Sequence, residues 1–353
     1  MAPPTAEPRS RDEGSDATKG LLVTLVALGH CVQAQLMWPW LFAGGLYDFH
    51  VIAFLLLPFL RPAAPFSSRA LADRAVRYLV PFAVFALASC ALWHVVFHPA
   101  AGWLALGKAL VLGDVHALMA GVGFTFLWFM PALLALTLLR SAIAATSVRM
   151  RVLLISAVLA AHVVLRLARV PLPLNPLPAL YVLPLGWAFA ALMPQPRSRW
   201  LWLALAVAGA VWTDHLGDHI NVASLQVPDW RRMDLVVLHD VYAIAATLAV
   251  VQFGRVLARI RPLVALGRYS LVVFLSHQFV LKAFDVWATR QPGYASAEFK
   301  VAVAVVAVPT ALAAGWWLAR QLERPGIRRW VLPNSAREWP VLGWVHPRQA
   351  GSL

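Results

Sequence analysis

The chain has 353 residues, of which 61% are hydrophobic and only 13% charged, with a formal net charge of +14. An ordinary soluble domain is about 45–50% apolar and about 25% charged, so this composition excludes a water-soluble fold, a disordered chain and a disulfide-stapled scaffold. Two cysteines, Cys31 and Cys90, both in apolar runs, suggest neither a structural disulfide nor a metal framework.

Residues 1–18 are rich in Pro, Ser, Asp and Arg and carry no apolar period, which predicts a disordered tail. Apolar stretches then recur at 20–38, 42–60, 78–97, 119–139, 152–170, 176–193, 200–213, 234–253, 269–288 and 299–318. At about 20 residues per span, this predicts an all-α, polytopic membrane bundle of about ten transmembrane helices. The first run contains Gly29, His30 and Gln33 and lacks a small-residue cleavage site, so it reads as a retained helix rather than a signal peptide. With the N-terminus cytoplasmic, the connections after spans 2, 4, 6 and 8 are cytoplasmic too. They carry Arg61, Arg69, Arg74, Arg77, Arg140, Arg149, Arg151, Arg197, Arg199, Arg255, Arg259, Arg261 and Arg268. The opposite connections hold far fewer: Lys108, Arg169, Arg231, Arg232 and Arg290. This bias places both termini in the cytoplasm and explains the positive charge without a nucleic-acid partner. Residues 19–318 form the membrane domain, and 319–353 a basic, Pro-interrupted tail on the cytoplasmic surface. The preference for Arg over Lys and the abundant Ala hint at a bacterial source, hence a bacterial inner membrane.

Ionisable groups inside a span are costly and by default mark function. Lys19 and His30 are eleven positions apart, so they share one helix face, about 16 Å apart along its axis. With Lys19 at the cytoplasmic edge, His30 falls near the middle of a core roughly 30 Å thick, where its imidazole can accept a proton. The bland alternative is a histidine bridging two helices. In span 2, Asp48 and His50 can polarise a neighbour, or they form a wet pair at the outer edge. Arg74 and Arg77, at i and i+3, put two guanidinium groups at the cytoplasmic mouth, an arrangement suited to phosphate. Simple retention of positive loops is the bland alternative, and from the sequence alone the stronger one. Asp214, His215, Asp218 and His219, and the pair His94 and His98, have i,i+4 spacings without a zincin-like pattern, so no metal is expected. His162, Arg166, His239 and Asp240 are further polar residues in spans 5 and 8. Trp128 lies inside span 4, unlike the interfacial Trp38, Trp40, Trp93, Trp103 and Trp200.

Taken together these segments resemble the acyltransferase 3 family, integral-membrane O-acyltransferases of surface glycans and related molecules, and most closely its fucose 4-O-acetylase-like branch. Lys19-Gly20-Leu21-Leu22 with Val26-Ala27-Leu28-Gly29-His30 is similar to the first helix, with Lys19 where the family generally has Arg. Phe49-His50 opens a segment reading FHVIAFLLLPFL, similar to FHMPLFF but without the Ser-Gly that usually follows. Arg74-x-x-Arg77 with Pro81 resembles the paired-Arg motif. Trp128-Phe129-Met130-Pro131-Ala132-Leu133 resembles WFLPAL, and Leu266-Gly267-Arg268-Tyr269-Ser270-Leu271 with His277 resembles LGxxSL…H. The matches run in family order from residue 19 to about 320.

The resemblance implies acyl transfer from a cytoplasmic acyl-CoA, acetyl-CoA first, to a hydroxyl of a glycan or small molecule. On that reading Arg74, Arg77 and Lys19 hold the donor's phosphates. His30 is the general base, and Asp48 or His50 orients it or contacts the acceptor. Trp128, Ser270 and His277 are carried over as substrate-binding candidates. The acceptor enters from the outer side, where Asp214 to His219 and Trp103 contribute. Two membrane alternatives stay open: a proton-coupled transporter of a small solute, and a succinyltransferase of periplasmic glucans. A third is a non-catalytic membrane subunit.

Overall fold

The computed structural model describes residues 12–39, 45–46, 49–97, 102–168, 171–193, 199–216 and 233–343, and among these the regular structure is helical throughout. Six helices are long and apolar enough to cross a membrane: Ser68–Val95, Phe126–Ala144, Val148–Leu165, Val236–Arg259, Ser270–Ala288 and Ala297–Leu322. Four shorter apolar helices accompany them, His50–Leu60, Trp103–Leu112, Leu177–Ala191 and Arg199–Trp212. The outside of the bundle is greasy: Val152, Leu153, Val163, Val164, Trp200, Leu201, Val211 and Trp212 are all exposed. Exposed apolar side chains in this number belong against lipid.

In chain order the helices are α1 (Glu13–Gly29), α2 (Val32–Met37), α3 (His50–Leu56, continued by a 3-10 turn to Leu60), α4 (Ser68–Phe97), α5 (Trp103–Leu112) and α6 (Val115–Val122). A 3-10 turn at Phe126–Trp128 leads into α7 (Phe129–Ala144), followed by α8 (Val148–Leu167), α9 (Leu177–Ala191), α10 (Arg199–Leu216) and α11 (Met233–Val256). The chain ends with α12 (Arg261–Arg268), α13 (Ser270–Ala288), α14 (Ala297–Leu322), α15 (Pro325–Val331) and α16 (Pro340–Gly343).

The first boundary differs from the sequence expectation. The tail was placed at 1–18, yet α1 begins at Glu13. Asp12 caps it by accepting from the Ser15 N–H at 3.0 Å, and Glu13 and Asp16 sit in the first turn, where a carboxylate complements the helix dipole. The polar composition that reads as tail is here the start of a helix. Asp16 and Thr18 are buried because α1 lies inside the bundle, packed on α3, α11, α12, α13 and α14.

That central position depends on two glycines. A Cβ on Gly20 would meet the Leu263 carbonyl oxygen at 2.0 Å, and one on Gly267 would meet that of Asp16 at 1.6 Å. The α1–α12 crossing is therefore backbone against backbone, as small residues permit between membrane helices. Gly20 and Gly267 belong to two motifs far apart in sequence, and each makes room for the other's helix. Within α1 Asp16 holds Lys19 at 3.3 Å, and across the crossing Arg268 faces Asp16 and Glu13, each at 3.8 Å. Gly267→Ala is expected to displace α1 at a cost of about 1–3 kcal/mol. The readout is a lower unfolding midpoint of the purified protein, by intrinsic tryptophan fluorescence, than for Gly107→Ala, whose Cβ would meet nothing within 4 Å.

Other spans also shift. α4 starts at Ser68 rather than 78, so Arg74 and Arg77 lie on its opening turns. The run at 119–139 is broken at Gly123, whose φ of 74° suits glycine and whose Cβ would lie 2.2 Å from the Trp93 ring. The stretch between the expected third and fourth spans is itself helical, as α5, Trp103–Leu112. The C-terminal tail packs on the start of α4: Arg77 donates to the Asn334 carbonyl at 3.0 Å, and the Ala336 N–H donates to Asp73 at 2.8 Å.

Candidate functional site

Three histidines from distant segments meet in the middle of the bundle. His30 ends α1, His50 opens α3 and His277 lies inside α13. The His30 and His277 ring centroids are 5.1 Å apart, and those of His30 and His50 6.0 Å. His50 and His277 are completely buried. The three helices give consistent depths from arginine-rich ends. His30 is eleven residues from Lys19, His50 eleven from Arg61 and His277 nine from Arg268. At the rise of an α-helix these are all about 13–17 Å, close to half of a roughly 30 Å hydrocarbon core.

The hydrogen bonds fix which nitrogen of each ring carries a proton. His30 Nδ1 lies 2.9 Å from the Val26 carbonyl, and His277 Nδ1 lies 2.6 Å from that of Phe274. His50 Nδ1 likewise bonds the Leu46 carbonyl. A carbonyl only accepts, so in the neutral rings each Nδ1 is the donor and each Nε2 carries the lone pair. His277 Nε2 is 3.4 Å from His30 Nδ1, so the His30 N–H is shared between the Val26 carbonyl and His277. The pair therefore holds the His30 ring in one orientation and leaves its Nε2 as the basic atom.

An aromatic wall surrounds the centre. Phe54, Phe129 and Phe274 come from the three motif segments, with ring centroids 6.0, 6.1 and 4.8 Å apart. Phe126 stands 5.6 Å from the His277 ring. Trp128 is buried edge-on to Phe129 at 6.2 Å and lies in this wall. Ser270 is seven residues before His277, on the same face of α13 and about 10 Å nearer the arginine-rich end.

That end gathers cations. Arg74 donates to the Thr137 carbonyl at 3.4 Å and the Ala64 carbonyl at 3.5 Å, while Arg140 reaches over the Phe59 ring to the Arg61 carbonyl. Arg140 lies within range of the Arg74 charge. Among the described residues no carboxylate forms an ion pair with Arg74, Arg77 or Arg140. Guanidinium groups held by neutral carbonyls keep their charge for an anion. In the sequence Arg140 stands only as a topological charge. Its position one turn after Thr137 on the helix of the WFMPAL segment was the signal that linked it to Arg74. Lys19 is placed differently, in the ion-pair network with Asp16 beside Arg268.

The other expected residues are dispersed or fall elsewhere. Asp48, His98, Asp218 and His219 lie outside the described residues, and Asp214 and His215 fall at the end of α10. Trp103 is on the exposed surface of α5. Among the described residues no group of three or more His, Cys, Asp or Glu side chains is arranged to hold a metal.

A family model described as "Acyltransferase domain" matches residues 12–320. No curated protein and no solved structure matches the chain.

Proposed function

Because this chain belongs to the acyltransferase 3 family of membrane acyltransferases, we propose that it transfers an acyl group, acetyl in the first instance, from a cytoplasmic acyl-CoA to a hydroxyl of a sugar, surface glycan or related small molecule. The observation that supports this reading best is the meeting of His30, His50 and His277 at mid-depth, with guanidinium groups held by main-chain carbonyls at one end of the same bundle. We take α1, the six long helices and the short apolar helices His50–Leu60, Leu177–Ala191 and Arg199–Trp212 to make about ten membrane segments, both termini in the cytoplasm, in a bacterial inner membrane.

Arg74, Arg77 and Arg140 bind the phosphates of the donor at the cytoplasmic mouth, and its flexible arm carries the thioester inward. The acceptor hydroxyl gives its proton to His30 Nε2 as its oxygen attacks the thioester carbonyl. The tetrahedral intermediate collapses with cleavage of the C–S bond, and the leaving sulfur takes the proton from His30. The products are an ester and free CoA thiol. His277 acts through His30: its Nε2 accepts from the His30 Nδ1–H and steadies the imidazolium as it forms. His50 completes the buried imidazole cluster and contacts the reacting groups from α3.

Two consequences are measurable. Mass spectrometry of extracts from cells with and without the gene is expected to show one acyl-sized mass gain that depends on it. Uptake of a solute into vesicles without acyl-CoA, and no modified product, would favour a transporter instead. His277→Ala is expected to lower kcat about tenfold, the worth of roughly one hydrogen bond, with little change in the KM for acetyl-CoA. His277→Gln, which restores an acceptor, is expected to recover part of that loss.

A further inference from the structure

A second polar cluster is built on α8, α9 and α11. The Tyr181 hydroxyl on α9 donates to Asp240 Oδ1 on α11. His239 Nδ1 is 3.4 Å from the same oxygen and 3.5 Å from the Tyr181 hydroxyl. His162 approaches from α8, its ring 5.6 Å from that of Tyr181 and its Nδ1 3.2 Å from the Leu177 carbonyl. His162 and His239 are buried, whereas the Asp240 side chain is 23% exposed, so the cluster opens on one side. His239 Nε2 is buried with no hydrogen-bond partner among the described residues. Such an atom is costly inside apolar helices unless something satisfies it.

The chemistry of the open positions selects a ligand. With Nδ1–H directed at Asp240, His239 Nε2 is an acceptor. The Asp240 carboxylate is a second acceptor, and a negative one. Both call for a ligand that brings hydrogen-bond donors, and the carboxylate repels the phosphates of an acyl-CoA. Position points the same way. α8 starts beside Arg149 and Arg151, and α11 ends beside Arg255, so these ends lie on the cationic face. His162, Tyr181 and Asp240 lie four to seven residues from the opposite ends, Leu167, Leu177 and Met233, about 6–11 Å along their axes. The cluster also adjoins the reaction centre: α3, which carries His50, packs on both α9 and α11. Tyr242, two residues past Asp240, sets its ring 5.8 Å from that of Phe49, the neighbour of His50.

We propose that Tyr181, His239 and Asp240 form the subsite for the acceptor, an uncharged polyhydroxylated molecule entering from the face opposite the arginines. This assignment rests on the acyl-transfer reading above. Asp240→Asn and Tyr181→Phe nearly conserve volume and test it. Each variant replaces the native gene in the source cells, and the acylated product is read by mass spectrometry at equal membrane protein level. The product is expected to fall about tenfold or more. Acetyl-CoA binding by the purified full chain in lipid nanodiscs is expected to stay unchanged, because the donor site lies at the other face. Wild-type product levels in both variants would overturn the subsite, as would a parallel loss of acetyl-CoA binding. A product that resists mild alkali would be an amide and would overturn the hydroxyl class. His30→Ala in the same cells separates the two ideas. Product that persists with His30→Ala refutes the acyl-transfer reading itself, whereas loss there with wild-type levels in Asp240→Asn and Tyr181→Phe refutes only the subsite.

Discussion

Replacing His30 with alanine is expected to reduce acyl transfer about 100- to 10,000-fold, the range over which a positioned general base contributes. The acceptor hydroxyl is a poor nucleophile until its proton has somewhere to go. His30 Nε2 is the atom whose partner nitrogen is pinned, by the Val26 carbonyl at 2.9 Å and by His277 at 3.4 Å. Because His30 caps α1 after its last helical residue, its removal leaves the Gly20–Gly267 crossing and the Asp16–Arg268 contact untouched. The variant is therefore expected to accumulate in the membrane and to bind acetyl-CoA as the wild type does. Western blotting of membranes, acetyl-CoA titration in nanodiscs and label transfer from acetyl-CoA check the three parts. A His30→Ala protein with wild-type turnover would remove the base from the mechanism.

The double variant Arg74→Ala/Arg77→Ala is expected to raise the KM for acyl-CoA by about 10- to 150-fold, the equivalent of about 1.5–3 kcal/mol in charged hydrogen bonds. The KM for the acceptor is expected to change little. Arg74 is half-buried and Arg77 exposed, and both donate to main-chain carbonyls that make no demand on their charge. The proposed phosphate contact is electrostatic and near the membrane surface, so the wild-type KM is also expected to rise with ionic strength and the variant's to rise less. Kinetics at two salt concentrations check both. An unchanged acetyl-CoA KM in the double variant would exclude the phosphate clamp.

Part of this arrangement is legible in the sequence. The helical class follows from apolar run length, and His30 from its eleven-residue offset to Lys19 on one helix face. The motif residues Phe49-His50, Trp128-Phe129 and His277 were singled out, and in the structure their segments meet around His30. The meeting itself was not legible. Periodicity gives the face of each helix but not its neighbours, so the His30–His277 contact across 247 positions appears only in three dimensions. The pairing of Lys19 with Asp16, three residues away, lies within one helix turn, yet the Arg268 that joins them comes from α12 and appears only in three dimensions. Arg140 looked like one positive-inside charge among many, because its tie to Arg74 depends on how α4 packs on α7. The start of α1 was missed because charged residues in a first turn resemble a polar tail when capping is ignored. Gly20 and Gly267 were read as motif letters, and their shared role, the close crossing of α1 and α12, became visible only with both backbones in place.

The most direct test of the central claim is label transfer from radiolabelled acetyl-CoA added outside sealed, inside-out vesicles that contain the wild-type chain or His30→Ala. The vesicles enclose the acceptor fraction from cells lacking the gene, and the added donor meets the arginine-lined face. The account predicts an alkali-labile acetyl ester on enclosed acceptor with the wild-type chain and none above background with His30→Ala. Equal labelling with both chains, or transfer only when acetyl-CoA is supplied to the opposite face, would contradict it.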